Sequence, residues 1–182
     1  MYTIDVIEKL IQRFPEVSKI PVPEKFVRDP EPQANVPPQK LLEVCRFLKS
    51  DAAFSFDFPT HMTAVDHLKD GLFELVYALY STQHRVGLIL KSHVSRTSPE
   101  IDSVSSVWKG MDWQEREVFD LFGIRFNGHP NLKRIMLWEG YPGHPLRKDY
   151  VHVTDKYDSG LEIGTPGLDE QGLPVKGDGH GA

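Results

Sequence analysis

The sequence predicts an α+β domain, with helices packed on an antiparallel β-sheet, followed by an extended motif region and a C-terminal tail. Three observations point to it. Apolar residues recur at helical spacing in the first fifty positions, two alternating strands joined by a short polar turn lie mid-chain, and a helix-like stretch then leads into a region dense in glycine, proline and charge. At 182 residues, 40% hydrophobic and 26% charged, the chain fits one globular domain with appended segments and can bury an adequate core.

Taken in order, Ile4, Ile7, Leu10, Ile11 and Phe14 predict an amphipathic helix with Thr3 as N-cap and Pro15 as its stop. Residues 21–38 hold six prolines, which predicts an extended, semi-rigid connector and argues against a helix or a central strand. Leu41, Val44, Cys45 and Leu48 restore helical periodicity, and covering one face of a sheet is the simplest role for both helices. Phe54, Phe56 and Phe58 alternate with polar residues, predicting a strand ended by Pro59, and Met62 to His67 adds a candidate strand. Phe73, Leu75, Tyr77 and Leu79 share one side of a longer strand; Val86, Leu88 and Leu90 share one side of the next, with a hairpin turn at Ser81-Thr82-Gln83.

The stretch from Trp108 to Tyr150 organises the rest. A short helix is predicted from Asp112, capped in a box with Glu115 and stopped by Gly123, with Trp113, Val118, Leu121 and Phe122 as its apolar face. Glu115 and Glu117 fall in its first turn, where the helix dipole favours negative charge, and Arg116 and Asp120 stand four apart, able to pair across one turn. Ile124 and Phe126 then alternate as in a short strand. Gly128-His129-Pro130 and Gly143-His144-Pro145 force turns, because a residue before proline avoids the helical region, and each imidazole is expected to bond backbone or a carboxylate. Leu146-Arg147-Lys148-Asp149 closes the region as a charged loop. Five basic and two acidic side chains between Arg125 and Tyr150 make this face positive on a protein of net charge -5.

Composition excludes several classes of function. The acidic balance gives no reason to expect nucleic-acid binding, and no run of 18 apolar residues exists to span a membrane. Acidic residues and no basic run near the start argue against a secretory signal, and the single Cys45 suits a reducing, cytoplasmic setting. One cysteine is too few for an iron–sulfur cluster, and no phosphate loop, dinucleotide fingerprint or nucleophile elbow is present; Gly177, Gly179 and Gly181 mimic a fingerprint only superficially. His129, His144 and His152 with Asp149 match no compact metal-ligand spacing. Residues 155–182, with seven glycines, two lysines and six acids, read as a disordered tail or a strap that orders along a partner. The organisation is therefore a domain over 1–154, containing the connector and the motif region 108–150, and a tail over 155–182.

Glu115-Arg116-Glu117, Asp120, Gly123-Ile124, Phe126, Gly128-His129-Pro130, Arg134 and Gly143-His144-Pro145-Leu146-Arg147-Lys148-Asp149-Tyr150 together resemble the signature of the 30-kilodalton subunit family of respiratory complex I. The sequence departs from that pattern at Leu137 to Pro142, where the resemblance implies a more acidic stretch. The resemblance implies a cofactor-free structural subunit of a proton-pumping NADH:quinone oxidoreductase, with FMN, iron–sulfur clusters and quinone held by partner subunits. It implies docking on the large quinone-site chain and the small cluster-bearing chain of complex I, on the cytoplasmic side of the bacterial inner membrane. Glu115, Arg116, Glu117, Asp120, His129, Pro130, Arg134, His144, Pro145, Leu146, Arg147, Lys148 and Asp149 are then candidate interface or motif residues, and Arg147 is expected to face the partner. Two alternatives stay open: the homologous subunit of an energy-converting hydrogenase or ferredoxin-fed complex, and a stand-alone histidine metallohydrolase.

Overall fold

The computed structural model describes residues 3–21 and 31–151. Helix α1 spans Thr3–Arg13 and strand β1 Ser18–Ile20; β2 is Gln33–Asn35, and α2 is Leu41–Ser50, entered through a 3-10 turn at Pro38–Lys40. Three ten-residue strands follow, β3 (Phe58–His67), β4 (Leu72–Ser81) and β5 (Val86–Ser95), then β6 (Glu100–Asp102), α3 (Met111–Phe122) and β7 (Arg125–Asn127). The five-stranded sheet has the order β1-β2-β5-β4-β3, and β6 pairs with β7 in a small second sheet.

The expected α+β architecture is present, but two pairings, β2 with β5 and β6 with β7, are parallel, so the main sheet is mixed and not purely antiparallel. Strands β3, β4 and β5 form an antiparallel meander, Tyr77 standing between Met62 and Leu90. β2 enters beside β5 in parallel, with Ala34 opposite Leu90, and β1 completes the edge. The alternation read from the sequence holds: Phe73, Leu75, Tyr77, Leu79, Leu88 and Leu90 are buried. They meet Val6, Ile7 and Leu10 of α1, Val44, Cys45 and Leu48 of α2, and Met111, Val118 and Phe122 of α3 in one core.

Four local expectations are corrected. The connector contains an interior strand, because Pro32 and Val36 contribute what their positions allow: Ile89 donates its amide to the Pro32 carbonyl and Val36 donates to Lys91, so the prolines flank the ladder without interrupting it. Phe54, Phe56 and Phe58 share no strand face. The first two are buried in a turn after α2, whereas Phe58 is exposed and opens β3, and Pro59 lies inside that strand. Thr3 is already helical, so it is not the cap of α1. The capping box at Asp112 is absent: α3 begins at Met111 after Gly110, with no side-chain cap, because Glu115 is drawn elsewhere.

Two further contacts place α3. The Trp108 indole donates to the Phe56 carbonyl at 3.0 Å, and the Gln114 side chain accepts from the Met62 amide, so the helix occupies a backbone position that edge strand β3 would otherwise offer to another chain.

Candidate subunit interface

The signature residues of α3 point inward more than outward. Glu115 is fully buried; the Ser103 hydroxyl donates to one carboxylate oxygen at 2.6 Å and the Val104 amide to the other at 2.7 Å. Burial pushes its carboxyl up to about 7, against the opposing pull of those two bonds. The side chain of His129 is also buried. Its Nε2 lies 3.1 Å from the Asp112 carbonyl and 3.9 Å from Glu115, and its Nδ1 accepts from the Asn131 amide at 3.0 Å. The first Gly-His-Pro is thus a turn whose imidazole is satisfied largely by backbone, and Pro130 stands exposed beyond it.

Asp120 anchors the stretch from Arg134 to Leu137. Its Oδ2 accepts the successive amides of Ile135, Met136 and Leu137 at 2.8–2.9 Å, and its Oδ1 takes the Arg134 guanidinium at 3.0 Å. Burial raises this carboxyl, but the three amides and Arg134 outweigh it and hold the group below its usual range. The Arg116–Asp120 pairing expected from spacing does not form: Arg116 donates to the carbonyls of Lys133 and Arg134 instead. Charged side chains here replace the backbone partners that a strand would have supplied.

The second Gly-His-Pro docks on the end of the same helix. Gly123 caps α3 in the left-handed region at φ 75°, and its bare Cα allows the His144 ring to approach so closely that a Cβ would meet Cδ2 at 2.6 Å. His144 Nδ1 lies 2.8 Å from the Asp120 carbonyl, and burial, with Arg147 and Arg134 nearby, depresses its basicity. Arg147 donates to the Phe122 carbonyl at 2.6 Å and lies over the Phe73 ring at 5.1 Å. Its guanidinium is therefore engaged within its own domain.

A clasp fixes the end of the loop. Buried Asp66 receives Arg96 through two nitrogens at 2.8 and 3.1 Å and the Lys148 amide at 2.8 Å, while Arg96 also meets Asp149 at 2.6 Å. Arg96 rests on Phe73 as well, at 5.4 Å, so two guanidinium groups share one ring. Tyr141 packs edge-on to Trp138 and stacks on Tyr150, whose hydroxyl donates to that of Tyr141.

Of the candidate residues, Glu115, Asp120, Arg134, His129, His144, Arg147 and Asp149 are joined into this internal network, together with Arg116. Glu117, Pro130, Leu146 and the Lys148 side chain stay at the surface, with Pro145 half-buried. Sequence reasoning misses Asp66, Arg96, Phe73 and Ser103 as members of the network. Asp66 carries a signal: it shares the buried phase of Met62 and Ala64, where a charge is costly unless paired. Arg96, thirty residues away, carries none.

Among the described residues, no group of three or more His, Cys, Asp or Glu side chains is placed to hold a metal ion, and no helix is long and apolar enough to cross a membrane. His152 and the tail lie outside the described residues.

Residues 34–156 match the family described as respiratory-chain NADH dehydrogenase, 30 Kd subunit. A subunit of the NADH-quinone oxidoreductase of Rhizobium etli is 46% identical over 116 residues, 63% of this chain, and the chain spans 62% of that protein's length. The mitochondrial NADH-ubiquinone oxidoreductase 30.4 kDa subunit of Neurospora crassa is 42% identical over 116 residues, 63% of this chain and 41% of that one. Among solved structures, a chain of the membrane-bound sulfane sulfur reductase, an archaeal respiratory membrane complex, has a TM-score of 0.70 at 21% identity, over 94% of this chain and 98% of its own. A trypsin-resistant fragment of Nqo5 has a TM-score of 0.58 at 24% identity, over 72% of this chain and 100% of its own. These two likenesses concern the fold. The sequence match covers β2 through the whole signature, and on it the chain belongs to the family of the 30 Kd subunit of respiratory-chain NADH dehydrogenase.

Proposed function

We propose that this chain is a cofactor-free structural subunit in the peripheral arm of an NADH:quinone oxidoreductase. It docks on the large quinone-site subunit and beside the small cluster-bearing subunit, at the cytoplasmic face of the membrane, while FMN, iron–sulfur clusters and quinone belong to its partners. The chain itself performs no redox step; it keeps the neighbouring quinone cleft in shape while electrons pass from NADH to quinone and protons are translocated. Small displacements of reacting groups carry large rate penalties, so a scaffold of this kind acts on catalysis indirectly.

The observation that carries this reading is the family match over residues 34–156. The geometry supports it, since Asp120 and Asp66 tie an irregular segment into a fixed surface without help from another chain. The test is purification of the tagged full-length chain from native membranes, with identification of every co-purifying subunit. Flavin-bearing NADH-input subunits and the large quinone-site subunit should be recovered with it. Recovery with hydrogenase or ferredoxin-linked subunits would reassign the donor, and recovery alone would overturn the reading. Family membership leaves the metallohydrolase alternative without support.

A further inference from the structure

The charges that turn inward leave another set of side chains facing out. Trp113 is 66% exposed, Met136 64% and Leu146 49%. One lies on α3 and two lie on the irregular segment bonded to it. Trp113 is in the first turn of α3; Met136 is held at Asp120 by its amide, and Leu146 donates its amide to the Leu121 carbonyl near the C-terminal end. Arg116 links the first two, lying 5.6 Å over the Trp113 ring while donating to the carbonyls of Lys133 and Arg134. An exposed tryptophan beside exposed methionine and leucine, on a segment pinned from within, has the composition and rigidity of an interface anchor.

Charge indicates what covers it. Arg116 donates only to carbonyl oxygens, and exposed Lys133 has no ion pair among the described residues. Arg134 is already neutralised by Asp120. Asp112 and Glu117 on α3 and Glu139 in the flanking segment are carboxylates of this region, yet neither Arg116 nor Lys133 is paired with one of them among the described residues, so both cations remain open to a carboxylate from outside. By contrast, the open face of the sheet is self-satisfied: Lys91 and His93 both meet Glu74, and His93 also meets Asn35. We infer that the outer side of α3, with Trp113, Met136 and Leu146 as apolar contacts and Arg116 and Lys133 at the rim, is the docking strip for a segment of a neighbouring subunit that carries a carboxylate beside aliphatic side chains. This rests on the reading of the chain as part of a larger complex.

The test is made on the full chain in cells that assemble the complex. A photo-crosslinking aromatic residue is placed singly at 113, at 136 and, as control, at Val65 on the open sheet face. Positions 113 and 136 should crosslink to the same subunit, through a peptide containing Asp or Glu next to aliphatic residues, and position 65 should not. Crosslinks from position 65 alone, in an intact complex, would overturn the strip while leaving the subunit reading standing. A crosslinked peptide without a carboxylate would overturn the acidic partner. A chain that neither crosslinks nor co-purifies with other subunits would overturn both. In a second measurement, wild-type and Trp113→Ala chains carry different tags and compete for assembly. The variant should enter the complex at least about tenfold less, as expected for loss of an interface tryptophan. Circular dichroism of the variant should be unchanged, because Trp113 is outside the core, and equal entry of both chains would overturn the proposal.

Discussion

Between Phe58 and Ser95 the chain is held by an antiparallel ladder and by apolar side chains that alternate into one core, so each residue contributes a small share of a large total. Between Gly128 and Tyr150 there is neither helix nor strand, and the segment is held by a few buried or half-buried polar side chains, each bonded to several backbone groups. The two regions should therefore fail differently. Truncating one core residue of the sheet leaves its neighbours in place, whereas removing one carboxylate from the irregular segment orphans several backbone amides together.

The largest effect is expected at Asp120. Asp120→Asn removes the charge that Arg134 and three amides converge on, and it should cost about 3–5 kcal/mol, as when one member of a buried pair is lost. Urea unfolding of the full chain measures it, with exposed Glu117→Gln as a reference that should fall within about 0.5 kcal/mol of wild type. Equal midpoints for the two variants would mean that the segment does not depend on its carboxylate.

Next is Gly123→Ala, where a Cβ must fit beside the His144 ring in the left-handed region. A loss of about 2 kcal/mol is expected, combining backbone strain with displacement of the imidazole. If thermal melting shifts by less than a degree, the close packing of the second Gly-His-Pro turn on α3 is wrong.

Glu115 makes the comparison pH-dependent. Its folded-state carboxyl is raised to about 7 from an ordinary 4.5, so its contribution is fully present below about 4.5 and is lost as pH rises through about 7. Glu115→Gln cannot ionise and keeps an acceptor for the Val104 amide. The stability difference, variant minus wild type, should therefore increase between pH 5 and pH 8 by about 1–3 kcal/mol. A flat difference over that range would show that Glu115 titrates normally.

The smallest of these effects is expected at Arg147. Arg147→Ala loses a bond to the Phe122 carbonyl and a contact with Phe73, together worth about 1–2 kcal/mol. That corresponds to a melting shift of several degrees in a domain of this size, since about 1 kcal/mol is worth roughly 2–4 °C. Unchanged melting combined with poor assembly would place the contribution of Arg147 at the interface.

The same contrast explains what the sequence discloses. Strands β4 and β5 and their turn are legible because alternation is local and survives in one dimension. Both Gly-His-Pro turns are legible because proline restricts its predecessor wherever it stands. Glu115 misleads because a capping box and a buried carboxylate share the same spacing, and the choice depends on Ser103 and Val104 arriving from an earlier loop. The internal contacts of Arg147 are not legible for a similar reason: Phe122 and Phe73 lie on distant elements. Interior strand β2 is not legible at all, since three residues between prolines carry no periodicity until β5 is beside them.

The position of β2 has a consequence for solubility. Among the described residues, its three residues and short β1, which carries Lys19, separate the long apolar strand β5 from open water on that side. A chain shortened to begin after Val36 would lose α1 with its buried Val6, Ile7 and Leu10 and would also present β5 as an unpaired edge, with Pro32 and Val36 no longer satisfying Ile89 and Lys91. Such an edge recruits strands from other molecules. Strands β1 and β2 thus guard the sheet against self-association, and versions of this protein shortened past them should gather into oligomers.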